Sequence, residues 1–286
     1  MSEHKRLYLE TPLPHWTKGE FPTVRESIEW KLSDPDTERD YYTAILDTER
    51  FCLMIGADLL ACVGTGAPDH LVDARDLGVD MLRKRSYWGV NGEWMVDVGE
   101  LWDHPDQAYA GYLEPSDNME PKPIPGLAKD SSHAHRLPVF LDAFLPAEDA
   151  DLRDEIISMR EGLAKQLLDH CMVQPDESFR SIRLTNYLDG HNGLYRWGHA
   201  TQGENNGYRP YELSGTFNLG WWSLLYNEEI HAAYRVAADC LPLTQQEIDL
   251  YVGPNSTRES NPLFILPNAY EPGGMMETCI RSALLI

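Results

Sequence analysis

The feature that most constrains the fold is a helical spacing of apolar residues in several long segments. In the clearest segment, residues 149–172, Leu152, Ile156 and Met159 recur at three- and four-residue steps between charged positions. This period places the apolar side chains on one face of an α-helix. The same pattern predicts amphipathic helices over residues 37–63, 69–85 and 227–241.

Three shorter segments are less polar, and we predict that they are helices buried on most sides. They are Pro138–Phe144, Phe217–Tyr226 and Met275–Ile286. No alternating strand pattern persists, although short hairpins within the loops are compatible with the sequence. We therefore expect a mainly α protein of stacked helical hairpins, forming a single helical domain over residues 1–286.

Long connections rich in Gly, Pro, Asn and Trp separate these helices. They are Ser86–Gly99, His104–Ser132, Asp189–Ser214 and Gly253–Gly274. Loops longer than about 12–15 residues are usually functional or disordered. Because these loops contain Trp, Tyr and His, the sequence favours ordered loops that carry function.

The charge balance limits the classes of partner. The net charge is −22, from 46 acidic and 24 basic residues, and no basic cluster interrupts it. Such a surface repels nucleic acid phosphates and anionic membranes, so we expect neither as a partner. No segment approaches the roughly 20 apolar residues that cross a bilayer, and no signal-like run opens the sequence. These features predict a cytoplasmic protein.

The cysteines argue against a disulfide scaffold or a thiolate zinc site. There are five of them, widely spaced and without a Cys-x-x-Cys pair, whereas both kinds of site need paired or clustered cysteines. Most lie among apolar helical neighbours, so we expect buried structural thiols.

The segment Arg183–Trp222 differs from the rest of the chain. Eight of its 40 residues are aromatic, and its three arginines balance three acids, so its formal charge is zero in a chain of −22. Aromatic faces stack against planar or apolar ligand surfaces, and Asn, Arg and His supply directional hydrogen bonds. We interpret it as a binding segment that accepts an anionic ligand. The alternative is that the aromatics form a core and the polar groups cap turns.

A second polar cluster, Asp130–Pro138, lies at the start of a predicted helix and contains His133, His135 and Arg136. Donors at a helix N-terminus suit an anionic group. A lone His-x-His is a weak metal signal, with His191 or His199 as the best additional ligands, so we expect no metal and no cofactor. Phosphate-loop, nucleophile-elbow and His-Glu-x-x-His motifs are absent. We predict that residues 130–136 and 186–222 line one pocket.

Four groups of residues carry a family resemblance over residues 130–280. They are Asn186-Tyr187, His191-Asn192-Gly193, Tyr195-Arg196-Trp197 and Gly207-Tyr208-Arg209-Pro210-Tyr211-Glu212. Each lies next to a predicted inner helix, and in this layout the chain resembles the (α/α)-toroid enzymes that act on carbohydrates. The resemblance implies a complete or incomplete ring of helical hairpins, with long loops lining a central cleft that binds an oligosaccharide or smaller substrate.

The first chemistry that the resemblance implies is β-elimination on a uronic-acid glycan, catalysed by a lyase. The enzyme must neutralise a carboxylate and move a proton. Candidates for neutralising the carboxylate are Asn186, His191, Asn192 and Arg196. Candidates for the base and acid are Tyr187, Tyr195, Tyr208, Tyr211, His133 and His135. Further candidates for substrate binding are Arg136, Trp197, His199, Arg209 and Trp221.

Two alternatives stay open. Glycoside hydrolysis uses two carboxyl groups, and Asp189 and Glu212 are the best pair, with Glu204 and Asp130 in reserve. A non-enzymatic alternative is an inhibitor or immunity-type protein whose acidic surface speeds association with a basic partner. It uses the charge of −22 directly, but it does not account for the neutral aromatic segment.

Overall fold

The computed structural model describes residues 1–12, 21–33, 47–96, 104–145, 149–198, 206–252 and 269–286. Helices dominate these residues, which confirms the mainly α class. The chain forms two compact units: Met1–Leu101 with Val139–Gly162, and Trp102–Pro138 with Leu163–Ile286. Compactness alone does not make a unit an independent domain. One helical domain and a ring of helices therefore stay predictions.

The first unit is built from helices and one hairpin. Its elements are α1 (Ser2–Glu10), α2 (Val24–Ser33), α3 (Asp47–Val63), α4 (Asp69–Lys84), β1 (Ser86–Trp88), β2 (Trp94–Val96) and parts of α6 (Leu137–Ala143) and α7 (Ala150–Gln166). The strands pair antiparallel, with Tyr87 opposite Met95. Helices α3 and α4 confirm the predicted helix over residues 69–85 and the described part of the one over residues 37–63. Residues 37–46 lie outside the described residues. The periodicity did not identify α1 and α2.

Small residues let α3 and α4 pack closely. A Cβ at Gly56 would lie 2.6 Å from the Cβ of Ala74, and one at Gly78 would lie 2.4 Å from Cζ of Phe144. Both distances are below van der Waals contact, so only glycine fits without movement of a neighbour. Leu53, fully buried, belongs to the same apolar core.

A buried ion pair crosses this core. Lys31 Nζ of α2 lies 2.8 Å from Glu49 Oε2 of α3, and both side chains are 0% exposed. Ser27 donates a second hydrogen bond to Glu49 at 3.1 Å. Because burying charges is costly unless they are paired and hydrogen bonded, these contacts fix the register of the two helices.

The second unit has shorter elements and more loop. They are α5 (Ser131–Ala134), a π-helix (Leu167–Cys171), β3 (Met172–Val173), β4 (Arg183–Leu184), two 3₁₀ helices (Ser214–Leu219 and Trp221–Leu225), α8 (Glu228–Asp239), α9 (Gln245–Val252) and α10 (Met275–Ala283). The predicted helices over 227–241 and 275–286 correspond to α8 and α10. Strands β3 and β4 pair antiparallel, with Met172 opposite Leu184.

The predicted helix Phe217–Tyr226 is wrong as a single element. Gly220 adopts a left-handed conformation with φ of 86° and ends the first 3₁₀ helix. A second 3₁₀ helix begins directly after it and ends at Tyr226, whose φ is 51°. Most of the segment is buried as expected, including Phe217 and Trp222, whereas Trp221 and Tyr226 are exposed.

The aromatic core of the second unit joins its loops. Tyr187, Tyr195 and Tyr208 pack with Ala110, Leu127 and Leu213 in one buried cluster. Tyr195 and Tyr208 exchange backbone hydrogen bonds of 2.9 and 2.8 Å. A Cβ at Gly193 would lie 1.7 Å from the carbonyl oxygen of Ala110. Any residue larger than glycine would therefore clash with the backbone of Ala110.

The cysteines are free thiols. Cys52, Cys171 and Cys240 are buried, as the sequence predicted, whereas Cys62 is exposed. Burial raises the pKa of Cys52 to about 11 and that of Cys171 to about 12. These two thiols therefore stay protonated and are structural.

Within the described ranges, none of the helices is both long enough and apolar enough to cross a bilayer.

Candidate functional site

The two predicted site segments lie side by side in the second unit. Asp130 and Tyr187 form a β-bridge, Ser131 N donates to Asn186 O at 2.9 Å, and Leu188 N donates to Lys129 O at 3.0 Å. Residues 130–136 and the beginning of 186–222 are therefore adjacent, as expected. This contact places the Asp130 cluster against the aromatic loop.

The centre of the site is a carboxylate–imidazole pair on α5. Asp130 is the N-cap of this short helix and its side chain accepts from the backbone N of His133 at 3.0 Å. The same oxygen, Oδ1, lies 2.7 Å from Nδ1 of His133 and accepts from Ser132 Oγ. Asp130 is 3% exposed. One tight turn therefore orients both the carboxylate and the imidazole.

The environment keeps the imidazole neutral. Burial lowers the pKa of His133 from its ordinary value of 6.5, and this effect outweighs the opposing charge of Asp130. Burial also opposes ionisation of Asp130, but its interactions with His133 and the charge of Lys129 hold the pKa of Asp130 below the ordinary range. With the proton of the ring on Nδ1, facing the carboxylate, the lone pair lies on Nε2.

Nε2 of His133 has no hydrogen bond to any residue in the described part of the chain, and the side chain is 22% exposed. A neutral, oriented imidazole with an open nitrogen is the usual form of a general base.

Tyr195 links this pair to a second carboxylate. Its hydroxyl lies 3.3 Å from Nδ1 of His133 and 3.5 Å from Oδ2 of Asp106. The side chain is 1% exposed, and burial raises the pKa of Tyr195 well above its ordinary value. The hydroxyl is therefore protonated, and it acts as a hydrogen-bond donor within the site.

Arg196 is held in place by Asp106. Its Nε donates to Asp106 Oδ2 at 3.0 Å, its backbone N donates to Asp106 O at 2.7 Å, and its guanidinium lies 5.3 Å from the centre of the Tyr195 ring. Arg196 has a φ of 55°. A left-handed conformation at a residue other than glycine costs about 1–3 kcal/mol and is common at functional sites.

Arg136 adds a second guanidinium. Burial lowers its pKa, and it interacts electrostatically with Asp130, Tyr195 and Arg196. An arginine remains charged at all ordinary pH values. Two positive groups therefore lie around an imidazole base, and this arrangement suits a substrate with a carboxylate.

Asp106 and His104 were missed by the sequence reasoning. His104 Nδ1 lies 3.6 Å from Asp106 Oδ1 and accepts from the backbone N of Asp106 at 3.1 Å. Both residues lie in the long loop 104–132 that the sequence marked as functional. The available signal was a histidine and an acid two positions apart at the start of that loop.

Asn186, Asn192 and Tyr187 shape the loop. Asn186 Nδ2 donates to Gly193 O at 2.8 Å and to Arg209 O at 2.9 Å. Asn192 Oδ1 accepts from the backbone N of Asn186 at 3.1 Å and of Tyr211 at 3.0 Å. The Tyr187 hydroxyl donates to Leu194 O at 3.2 Å. These contacts are those of positioning residues.

The predicted carboxylates bond to backbone groups and to a neighbouring histidine. Asp189 accepts from Ala128 N of the 104–132 loop at 3.1 Å and pairs with His191 at 3.1 Å. Glu212 is 7% exposed and accepts from Arg209 N of its own turn at 2.7 Å. Neither carboxylate belongs to the hydrogen-bonded group around His133.

The remaining candidates are spread over the same unit. Arg209 lies 6.0 Å from the Trp197 ring, and His135 lies 5.0 Å from the ring of Trp221. Trp221 is 37% exposed, whereas Tyr208 is buried. His199 and Glu204 lie outside the described residues.

The described residues contain no group of three or more His, Cys, Asp or Glu side chains arranged to hold a metal ion. Comparison with protein family models, with curated proteins and with solved structures found no match. The function must therefore be inferred from the geometry of the site.

Proposed function

We propose that this chain is an enzyme that cleaves a uronic-acid-containing glycan by β-elimination, with His133 as the general base. The observation that carries the proposal is the 2.7 Å contact between Asp130 Oδ1 and His133 Nδ1. It supplies an oriented, neutral imidazole, which is the group that a proton abstraction near neutral pH needs.

The reaction needs no co-reactant. Nε2 of His133 removes the proton on the carbon next to the substrate carboxylate. The electron pair of that C–H bond forms a carbon–carbon double bond, and the bond to the glycosidic oxygen breaks. The leaving oxygen takes a proton, so one unsaturated sugar and one new hydroxyl result.

Arg196 and Arg136 are the candidates for stabilising the negative charge that develops on the carboxylate during proton removal. The Nε of Arg196 donates to Asp106. This ion pair fixes the guanidinium through its Nε, so the Nη groups are the ones that would contact the substrate carboxylate. Tyr195, as a protonated hydroxyl, is the nearest candidate for returning a proton to the leaving oxygen.

The unsaturated product absorbs in the near ultraviolet, which provides the test. Wild-type protein is incubated with a panel of acidic glycans, and the absorbance is followed. We expect an increase with at least one glycan and a loss of about 10²–10⁴-fold in kcat for His133→Ala. An exposed histidine outside the cluster, His170, provides the matched control His170→Ala, with circular dichroism confirming that each variant is folded.

Absence of absorbance across the panel, or full activity of His133→Ala, would overturn the proposal. Glycoside hydrolysis and binding of a basic partner stay predictions, and a reducing-end assay on the same reactions separates them. Hydrolysis would release reducing ends without absorbance and would depend on Asp189 or Glu212. A binding protein would turn over no glycan.

A further inference from the structure

The second unit contains a pocket that involves none of the residues hydrogen bonded around His133. It has a volume of about 350 Å³, and its apolar walls are Phe179, Tyr211 and Leu250. Its polar lining residues are Ser178, Arg183, Glu212, Gln246 and Asp249. This volume is within the range of small-molecule sites, which combine apolar walls with a few polar groups.

Arg183 lines this pocket beside its two aromatic residues. Its guanidinium lies 5.4 Å from the centre of the Phe179 ring and 4.9 Å from that of Tyr211, and it is paired with Asp176. The residue is 9% exposed, and its Nε is buried without a hydrogen-bond partner among the described residues. A buried donor without a partner is unfavourable, so this N–H points to a ligand with an oxygen acceptor.

The aromatic wall is held by a constrained backbone. Tyr211 has a left-handed φ of 69°, and its backbone N is fixed by Asn192 Oδ1 at 3.0 Å. The next residue, Glu212, is fixed by its hydrogen bond from Arg209 N. A half-buried ring held in this way presents a flat apolar surface beside carboxylate acceptors, which is the combination that recognises a sugar ring: one face is apolar and the edges carry hydroxyls.

The charges of the pocket select among sugars. The lining carries one arginine and two acids, Arg183, Glu212 and Asp249, so its formal charge is −1. A uronate would be repelled there. A neutral sugar offers hydroxyl donors to the carboxylates and an oxygen acceptor to Arg183.

We infer that this pocket is a binding subsite for an uncharged sugar residue. The choice of a glycan as ligand rests on the proposed function, and the inference adds to it that the substrate carries neutral sugars besides uronates.

The test is calorimetric titration of the full chain carrying His133→Ala, so that binding is measured without turnover. The probes are cellohexaose, xylohexaose, chitohexaose and hexagalacturonate. We expect one of the three uncharged probes to bind. Asp249→Asn and Gln246→Ala should each weaken that binding by about tenfold, the effect of one lost hydrogen bond to a charged or polar group. Asp239→Asn, an exposed acid outside the pocket, is the control.

Three results would overturn the inference: no binding of any uncharged probe, binding unaffected by Asp249→Asn and Gln246→Ala, or a pocket-dependent preference for hexagalacturonate. The two proposals fail separately. If an uncharged probe binds in the pocket but the wild-type protein forms no unsaturated product, the lyase proposal fails and the subsite inference stands. If the wild-type protein forms that product and the pocket variants leave turnover unchanged, the subsite inference fails and the lyase proposal stands.

Discussion

Asp106 and Arg196 lie 90 positions apart in the sequence, and Arg196 Nε donates to Asp106 Oδ2 at 3.0 Å. The backbone of Arg196 also donates to the backbone of Asp106. This double contact fixes the guanidinium beside the Tyr195 ring and joins the loop that begins at residue 104 to the aromatic segment. The site around His133 therefore depends on a contact between two distant loops.

The first prediction concerns this contact. Asp106→Asn should reduce the free energy of unfolding by about 1–3 kcal/mol, because the hydrogen bond from Arg196 loses its negatively charged acceptor. A double-mutant cycle with Arg196→Gln, followed by urea denaturation, should give a coupling energy of about 0.5–3 kcal/mol. Strictly additive effects of the two substitutions would show that the pair contributes nothing. If Arg196 binds substrate, Asp106→Asn should also raise KM for an acidic glycan.

The second prediction concerns the pH dependence of turnover. A general base must be neutral, and burial lowers the pKa of His133 from 6.5. The acid limb of kcat/KM should therefore lie below pH 6.5. Since the charge of Asp130 raises the pKa of His133, Asp130→Asn should move that limb to still lower pH while reducing kcat.

The pH–rate profiles of the wild type and Asp130→Asn provide the measurement. An acid limb above pH 6.5, or one that moves upward in the variant, would contradict the assignment of His133 as base. The same depressed pKa adds stability that is present above pH 6.5 and is lost as the pH falls through the folded-state pKa, because protons then bind preferentially to the unfolded chain.

The third prediction concerns the buried pair Lys31–Glu49 of the first unit, where both side chains are fully buried. Lys31→Met removes the buried ammonium that pairs with Glu49 and should reduce the free energy of unfolding by about 3–5 kcal/mol. The double variant Lys31→Met/Glu49→Leu removes both charges and should recover most of that loss. Urea denaturation measures both. A double variant less stable than Lys31→Met would show that the pair stabilises through more than mutual neutralisation.

The sequence selected most residues of the candidate site, but it did not single out one chemistry for them. His133, Asp130, Tyr195 and Arg196 were all among the candidates, because histidines, acids and aromatics in long loops are unusual away from a site. The sequence did not single out His133 from the other histidines. The assignment of His133 as the base depends on its contact with Asp130 and on its burial, and neither can be read from the amino-acid sequence.

What the sequence determined by itself is the mainly helical class and the positions of several long amphipathic helices. These depend on a local period of 3.6 residues, which is why α4, α7 and α8 were found. What only the tertiary structure decided is which side chains meet. The contacts of Asp106 with Arg196, of Tyr195 with His133 and of Lys31 with Glu49 join residues far apart in the chain. Burial then sets the protonation state of His133, and burial is a property of the packed structure.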